Sequence, residues 1–172
     1  MTNRPIMLGI LLATLASGCS RETAEEAFAK AETAETEASK QMDTVKSLES
    51  ARALYHPVID AFSRLREDHP KHVLAEVSLF RIATIRNNMT HEVPEAIDAY
   101  KRYVELYPDG AQAPVAMFLI GYLYNNELHQ VDSAGAAYRR FLDKYPTHEM
   151  ALSAQFELNT LGKSPEELLG KH

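Results

Sequence analysis

Hydrophobic side chains recur along this chain with a period of 38 residues. An aromatic residue at position 62 returns at positions 100 and 138, and each copy is preceded by alanine and followed eight residues later by proline. Self-similarity at one fixed spacing marks a repeat architecture, so the pattern predicts three copies of one structural unit. The positions related in this way are Ala61, Ala99 and Ala137; Phe62, Tyr100 and Tyr138; Pro70, Pro108 and Pro146; Ala75, Ala113 and Ala151; and Phe80, Phe118 and Phe156.

Each unit is predicted to contain two antiparallel helices. Apolar residues in the segment 97–107 follow helical spacing. Pro108 directly after it cannot continue a helix and restrains the residue before it. Polar stretches at 87–91 and 125–130 separate this second helix from the one that precedes it.

The bounds of the predicted helices follow from these prolines and polar stretches. Pro94 suits the first turn of a helix, and Asp132 suits an N-cap. A short helical stretch is also expected after Ser164. The main helices are expected near residues 36–50, 54–68, 72–88, 94–107, 111–126, 132–145 and 148–161.

The best-preserved unit resembles the tetratricopeptide repeat. The run 120–124, Ile-Gly-Tyr-Leu-Tyr, is followed by Ala134, Tyr138 and Pro146 in the order of that family's signature. The resemblance implies an all-α, right-handed solenoid of antiparallel helix pairs over residues 37–172. The family repeats at about 34 residues, so a period of 38 indicates longer helices or turns. In its longer repeats the chain resembles the tetratricopeptide lipoproteins of the Gram-negative outer membrane.

The first residues of the chain form a secretory signal pattern. Arg4 precedes an apolar run at 6–15, and small residues lead to Cys19. The run is too short to span a bilayer, which takes roughly 20 residues. The tract 15–19, Leu-Ala-Ser-Gly-Cys, resembles a lipobox, although Ala16 stands where that family usually has Leu, Val or Ile. The resemblance implies removal of residues 1–18 and acylation of Cys19, including palmitate.

Residues 22–49 are rich in alanine, glutamate and threonine and carry an apolar stripe at spacings of three and four. One interpretation is a helical tether at 19–36 that continues into the first helix of the stack. The other is a coiled-coil seam that joins several copies. Alanine buries little area, which favours the tether. The stripe consists of Ala24, Ala27, Ala31, Ala34, Ala38, Met42, Val45 and Leu48.

The sequence offers no residues for catalysis, a cofactor or a metal. The seven histidines show no metal-ligand spacing; His91 and His129 are repeat equivalents in turns. Neither a glycine-rich phosphate loop nor a Gly-x-Ser-x-Gly elbow occurs. The single cysteine excludes an internal disulfide. A net charge of −6 without a basic cluster argues against nucleic-acid binding. We therefore expect neither an enzyme nor a cofactor.

The resemblance also implies a binding groove on the concave side, lined by the first helix of each pair. The asparagine pairs could bond an extended peptide or could simply end their helices. The phenylalanines could contact a ligand or pack in the core, and core packing is favoured. The expected groove residues are Val77, Phe80, Thr84, Asn87, Asn88, Val115, Phe118, Tyr122, Asn125 and Asn126.

These expectations combine into one functional prediction. The protein is expected to be an adaptor anchored by lipid to the outer membrane, facing the periplasm and binding envelope proteins. By resemblance, the partners include components of outer-membrane β-barrel assembly or of the Tol–Pal system. Ser20 follows the cysteine, where an aspartate would favour the inner membrane. The alternative is a structural assembly lipoprotein, a pilotin or coiled-coil oligomer, without a peptide groove.

Overall fold

The computed structural model describes residues 21–163 and Glu167. The predicted signal peptide and Cys19 lie outside these residues, and so does most of the stretch after Ser164. Within the described residues the chain is helical and contains no strand, which confirms the all-α prediction. The helices are α1 (Ala24–Gln41), α2 (Leu48–Asp68), α3 (Val73–Asn88), α4 (Val93–Leu106), α5 (Ala113–Asn126), α6 (Val131–Lys144) and α7 (Ala151–Thr160).

Each helix packs against the next one along the chain, so that α3 pairs with α4 and α5 with α6. Their shared core is built around buried aromatic rings of the second helices, among them Tyr100, Tyr138 and Phe141. Full burial of one such side chain contributes roughly 1.5–3 kcal/mol. The 38-residue period is thus the period of a stack of helix pairs, as predicted.

The turns within the pairs repeat as well. His91 and His129 each adopt a left-handed backbone, with φ of 47° and 52°. Histidine tolerates this region better than most residues. Pro94 lies in the first turn of α4, as predicted. Asp132 does not cap α6, because that helix begins one residue earlier and Gln130 is its N-cap.

Gly121 allows α5 and α6 to approach closely. A Cβ atom at this position would lie 2.8 Å from two carbon atoms of the Tyr138 ring. Carbon atoms in favourable contact are about 3.5–4.0 Å apart. The ring of the second helix therefore occupies the space that any side chain at 121 would need.

The prediction of a helix at 36–50 is wrong. Helix α1 spans Ala24–Gln41, a single 3₁₀ turn follows at Met42–Thr44, and a new helix begins at Leu48. The break occurs because Ser47 caps α2, its hydroxyl accepting a hydrogen bond from the Ser50 amide at 3.1 Å. Helix α2 consequently starts six residues before the predicted 54 and holds Pro57 in its interior.

The apolar stripe on α1 packs within the chain. Ala24, Ala31 and Ala38 are buried within the chain, and α1 packs mainly on α2. The missed signal was Phe28, whose ring meets Phe62 of α2 edge-on at a centroid distance of 5.6 Å. A boundary at residue 36 therefore does not separate a free helix from the stack.

Candidate protein-binding surface

The predicted groove residues lie on α3 and α5, the first helices of the two central pairs. Val77 and Tyr122 are each 40% exposed, and both are large apolar or aromatic side chains. Val115 and Phe118 beside them are half-buried. We call the outward surface of α3 and α5 formed by the ten predicted residues the first-helix face. Its centre is accessible to a partner without any rearrangement of the core.

Phe80 and Phe118 form the base of this face. The Phe80 ring lies 5.6 Å from Tyr100 and 5.5 Å from Tyr103, edge-on to both. The Phe118 ring has equivalent neighbours, Tyr138 at 5.6 Å and Phe141 at 6.1 Å. These are the preferred separations of aromatic pairs. Both phenylalanines are therefore packed against the core and leave only part of each ring exposed.

The two units differ at the repeat-equivalent positions 84 and 122. The Thr84 hydroxyl donates to the Phe80 carbonyl at 3.0 Å and lies 3.5 Å from the Tyr100 hydroxyl. Tyr122 projects into solvent, and among the described residues nothing hydrogen-bonds its hydroxyl. An exposed aromatic with a free polar tip can bury its ring against a partner and still donate a hydrogen bond.

Tyr138 lies directly behind this position. Its side chain is fully buried, and its hydroxyl has no hydrogen-bond partner among the described residues. Burial raises the pKa of Tyr138 well above its usual value, and the nearby Glu157 and Tyr122 raise this pKa further. In the preceding unit, the hydroxyl of the equivalent Tyr100 lies 3.5 Å from the Thr84 hydroxyl. Position 122 carries Tyr instead of Thr, so Tyr138 lacks the equivalent partner.

The asparagine pairs close α3 and α5 and are engaged within the chain. Asn87 donates its amide to the Asn88 side-chain oxygen at 2.8 Å. The Asn125 amide reaches a Glu157 carboxylate oxygen at 3.5 Å, and the Asn126 amide donates to the Tyr122 carbonyl at 3.0 Å. A peptide bonded by these amides would have to replace such contacts. The geometry therefore matches the helix-ending interpretation more closely than a row of free amides.

A cleft of about 290 Å³ adjoins Val77 at one end of the face. The Tyr103 hydroxyl donates to the Glu76 carboxylate at 2.6 Å and accepts the Gln112 amide at 3.4 Å. Burial raises the pKa of Tyr103 far above its usual value, and the Glu76 carboxylate raises it further. Sequence reasoning missed this pair. The available signal was a hydroxyl at 103 where the repeat equivalents are Leu65 and Phe141.

Metal sites and membrane-spanning helices are two other features that could carry function. Within residues 21–163 and Glu167, no group of three or more His, Cys, Asp or Glu side chains is arranged to hold a metal ion. None of the helices in this part of the chain combines the length and hydropathy that crossing a membrane requires.

Comparison with protein families gives an independent view of the stack. The family model of the tetratricopeptide repeat matches residues 77–110 and 115–148. These two segments are similar to tetratricopeptide repeats. The two matches cover most of α3 with α4 and of α5 with α6. No curated protein matches the chain, and the matching family is not a catalytic one.

The four residues between the two matches explain the longer period. Residues 111–114 lie at the turn that follows Gly110 and in the first turn of α5. Tetratricopeptide repeats commonly bind protein partners, and this similarity suggests a protein-interaction role for the matched part of the chain. Such a role needs an accessible surface on a rigid scaffold, which is what the first-helix face provides.

Proposed function

We propose that this protein is a lipid-anchored adaptor that binds protein partners on the first-helix face, on the periplasmic side of the outer membrane. The observation that carries the binding role is Tyr122, an aromatic that is 40% exposed at the centre of a tetratricopeptide surface. Tyrosine is enriched among the residues that dominate interface energies. Envelope assembly or maintenance is the process in which the resembling lipoproteins work.

The anchor in this proposal is Cys19, supported by the signal pattern before it and by the resemblance to a lipobox. Helix α1 begins at Ala24, five residues further along, and it packs on α2 from its first turn. Five extended residues reach at most roughly 17 Å. An acylated Cys19 would therefore hold the repeat stack close to the bilayer surface.

Replacement of the lipid acceptor tests the anchor. In cells producing Cys19→Ser, the protein should move from the membrane pellet to the soluble fraction, since stable attachment needs the acyl chains. Ser20→Ala is the matched control and should stay in the pellet. A Cys19→Ser protein that still pellets after a high-salt wash would refute lipid anchoring as the main attachment.

Paired substitutions test the binding surface separately. Tyr122→Ala with Asn125→Ala should lower recovery of cross-linked partners severalfold, because aromatic anchors often contribute about 2 kcal/mol or more. Leu106→Ala is the control, a side chain of similar exposure, 43%, on α4. Exposed substitutions usually change stability by less than about 0.5 kcal/mol, so both proteins should melt near the wild-type temperature. A folded double variant that recovers its partners normally would place the binding surface elsewhere.

A further inference from the structure

A second cleft lies on the opposite side of α5 from Tyr122. It runs between the second helices α4 and α6, and its volume is about 340 Å³. Side chains of α5 form its floor, so that this helix presents Phe118 and Tyr122 to one surface and the cleft residues to another. We call it the second-helix cleft. Its lining residues are Lys101, Val104, Glu105, Met117, Ile120, Tyr124, Ser133, Ala136, Ala137 and Arg140.

The second-helix cleft combines an apolar floor with a cationic rim. Val104, Met117 and Ile120 are buried core residues at its base. Lys101 on one wall donates to the Tyr124 hydroxyl at 2.7 Å, and its ammonium lies 5.2 Å from the centre of that ring. A pocket that is mainly apolar with a few polar groups at its edge is the usual form of a binding site.

The cations at this rim have no anionic partner. Neither Lys101 nor Arg140 forms an ion pair within the described part of the chain. The one carboxylate of the lining, Glu105, is paired with Arg102 at 3.6 Å. In a chain of net charge −6, two unpaired cations on either side of an apolar cleft create a local positive field that attracts anionic groups.

The cleft is specific to one place in the stack. One repeat earlier, Arg66 and Arg86 stand where Val104 and Tyr124 do. The Nε atoms of both arginines are buried without a hydrogen-bond partner among the described residues. Burial also lowers the pKa of Arg66. Long arginine side chains thus fill the space between α2 and α4. At the equivalent place between α4 and α6, the shorter Val104 leaves room. Stacking of repeats does not by itself produce the cleft.

We propose that the second-helix cleft binds an acidic segment of a partner protein. One apolar side chain of that segment enters the cleft, and carboxylates beside it pair with Lys101 and Arg140. Charge complementarity selects this occupant. An anionic membrane fits less well, because sites that bind acidic lipids usually gather about 4–8 Lys or Arg, whereas this rim has two. The cleft is independent of the first-helix face, so each can be tested without the other.

A displayed library of random 12-residue peptides is the probe. Selection on the folded protein should enrich peptides that hold Asp or Glu next to one large apolar residue. Binding of a labelled peptide from that set should weaken at least about tenfold in the double variant Lys101→Glu with Arg140→Glu. It should also weaken at high salt, where the screening length falls to about 3 Å at 1 M. Ala137→Phe, which places a ring in the cleft, should abolish binding.

The controls make the outcome unambiguous. Arg64→Glu with Arg139→Glu changes the net charge by the same amount at exposed residues outside the cleft lining, and it should retain binding. Tyr122→Ala should retain it as well. Equal affinity in both charge-reversed proteins, failure to enrich any acidic peptide, or loss only in Tyr122→Ala would overturn the proposal. Binding to anionic vesicles that is lost with Lys101 and Arg140, without peptide binding, would overturn it in favour of a lipid site.

Discussion

The unit formed by α3 and α4 and the unit formed by α5 and α6 share one backbone plan but expose different chemistry. On the first-helix face, Thr84 bonds its own helix while Tyr122 projects into solvent. Between successive second helices, Arg66 of α2 is packed in beside α4, whereas Val104 of α4 leaves a cleft beside α6. The two units therefore share a buried core, whereas the two proposed binding surfaces both centre on α5.

The largest loss of stability is expected when the buried aromatic ring common to both units is removed. Tyr100→Ala and Tyr138→Ala each remove a ring that is at most 1% exposed, and truncating a buried aromatic costs about 3–5 kcal/mol. Denaturant unfolding followed by circular dichroism measures the loss. Tyr124→Ala, a half-buried ring of α5, is the control and should cost clearly less. Unchanged midpoints for both buried positions would mean that the 38-residue pattern does not mark the core.

Exchanging glycine and alanine at the repeat-equivalent positions 121 and 83 tests how closely the helices pack in each unit. Gly121→Ala forces a Cβ against the Tyr138 ring, and overpacking of this kind costs about 1–3 kcal/mol. The equivalent residue in the other unit is Ala83, which is buried without strain. Ala83→Gly should cost about 0.5–1 kcal/mol through lost helix propensity.

Both exchanges therefore destabilise the protein, with the larger loss at Gly121. Gly135→Ala is a control, because its Cβ would meet only the tips of flexible side chains at 3.3 Å or more. Thermal melts of the three variants decide the question. A Gly121→Ala protein as stable as wild type would show that α5 and α6 have room to separate.

Removing only the hydroxyl of Tyr138 or Tyr100 should change the free energy of unfolding with opposite sign in the two units. Tyr138→Phe removes a buried hydroxyl without a partner, and leaving such a group unsatisfied costs about 1–3 kcal/mol. The variant should therefore be more stable than wild type. Tyr100→Phe loses a weak contact with Thr84 at 3.5 Å and should be neutral or slightly less stable. Equal shifts in both variants would contradict the difference between positions 84 and 122.

The central helices could be predicted from sequence because their apolar spacing is regular and proline punctuates it. The segment 94–107 was expected and α4 spans Val93–Leu106; 111–126 was expected and α5 spans Ala113–Asn126. The first helix was misjudged because its stripe is mostly alanine. Its one aromatic side chain, Phe28, meets a residue far away in sequence, which the local pattern does not reveal.

The surfaces were less predictable for a physical reason. Groove positions could be assigned from the repeat, but whether a residue there is exposed depends on its neighbours on another helix. Tyr122 is exposed, whereas the adjacent Gly121 is buried against the Tyr138 ring. The second-helix cleft depends on side chains from three helices meeting at one place. In the sequence, the difference shows at two positions, where the earlier repeat has Arg66 and Arg86 in place of Val104 and Tyr124.

Site-specific photocrosslinking in cells tests the central claim, partner binding on the first-helix face, most directly. A benzophenone amino acid is placed at position 122 in one strain and at position 106 in another, both exposed to a similar degree. We expect a discrete crosslinked protein from position 122 and none from position 106. Absence of a product at 122, or the same product with equal yield at 106, would contradict it.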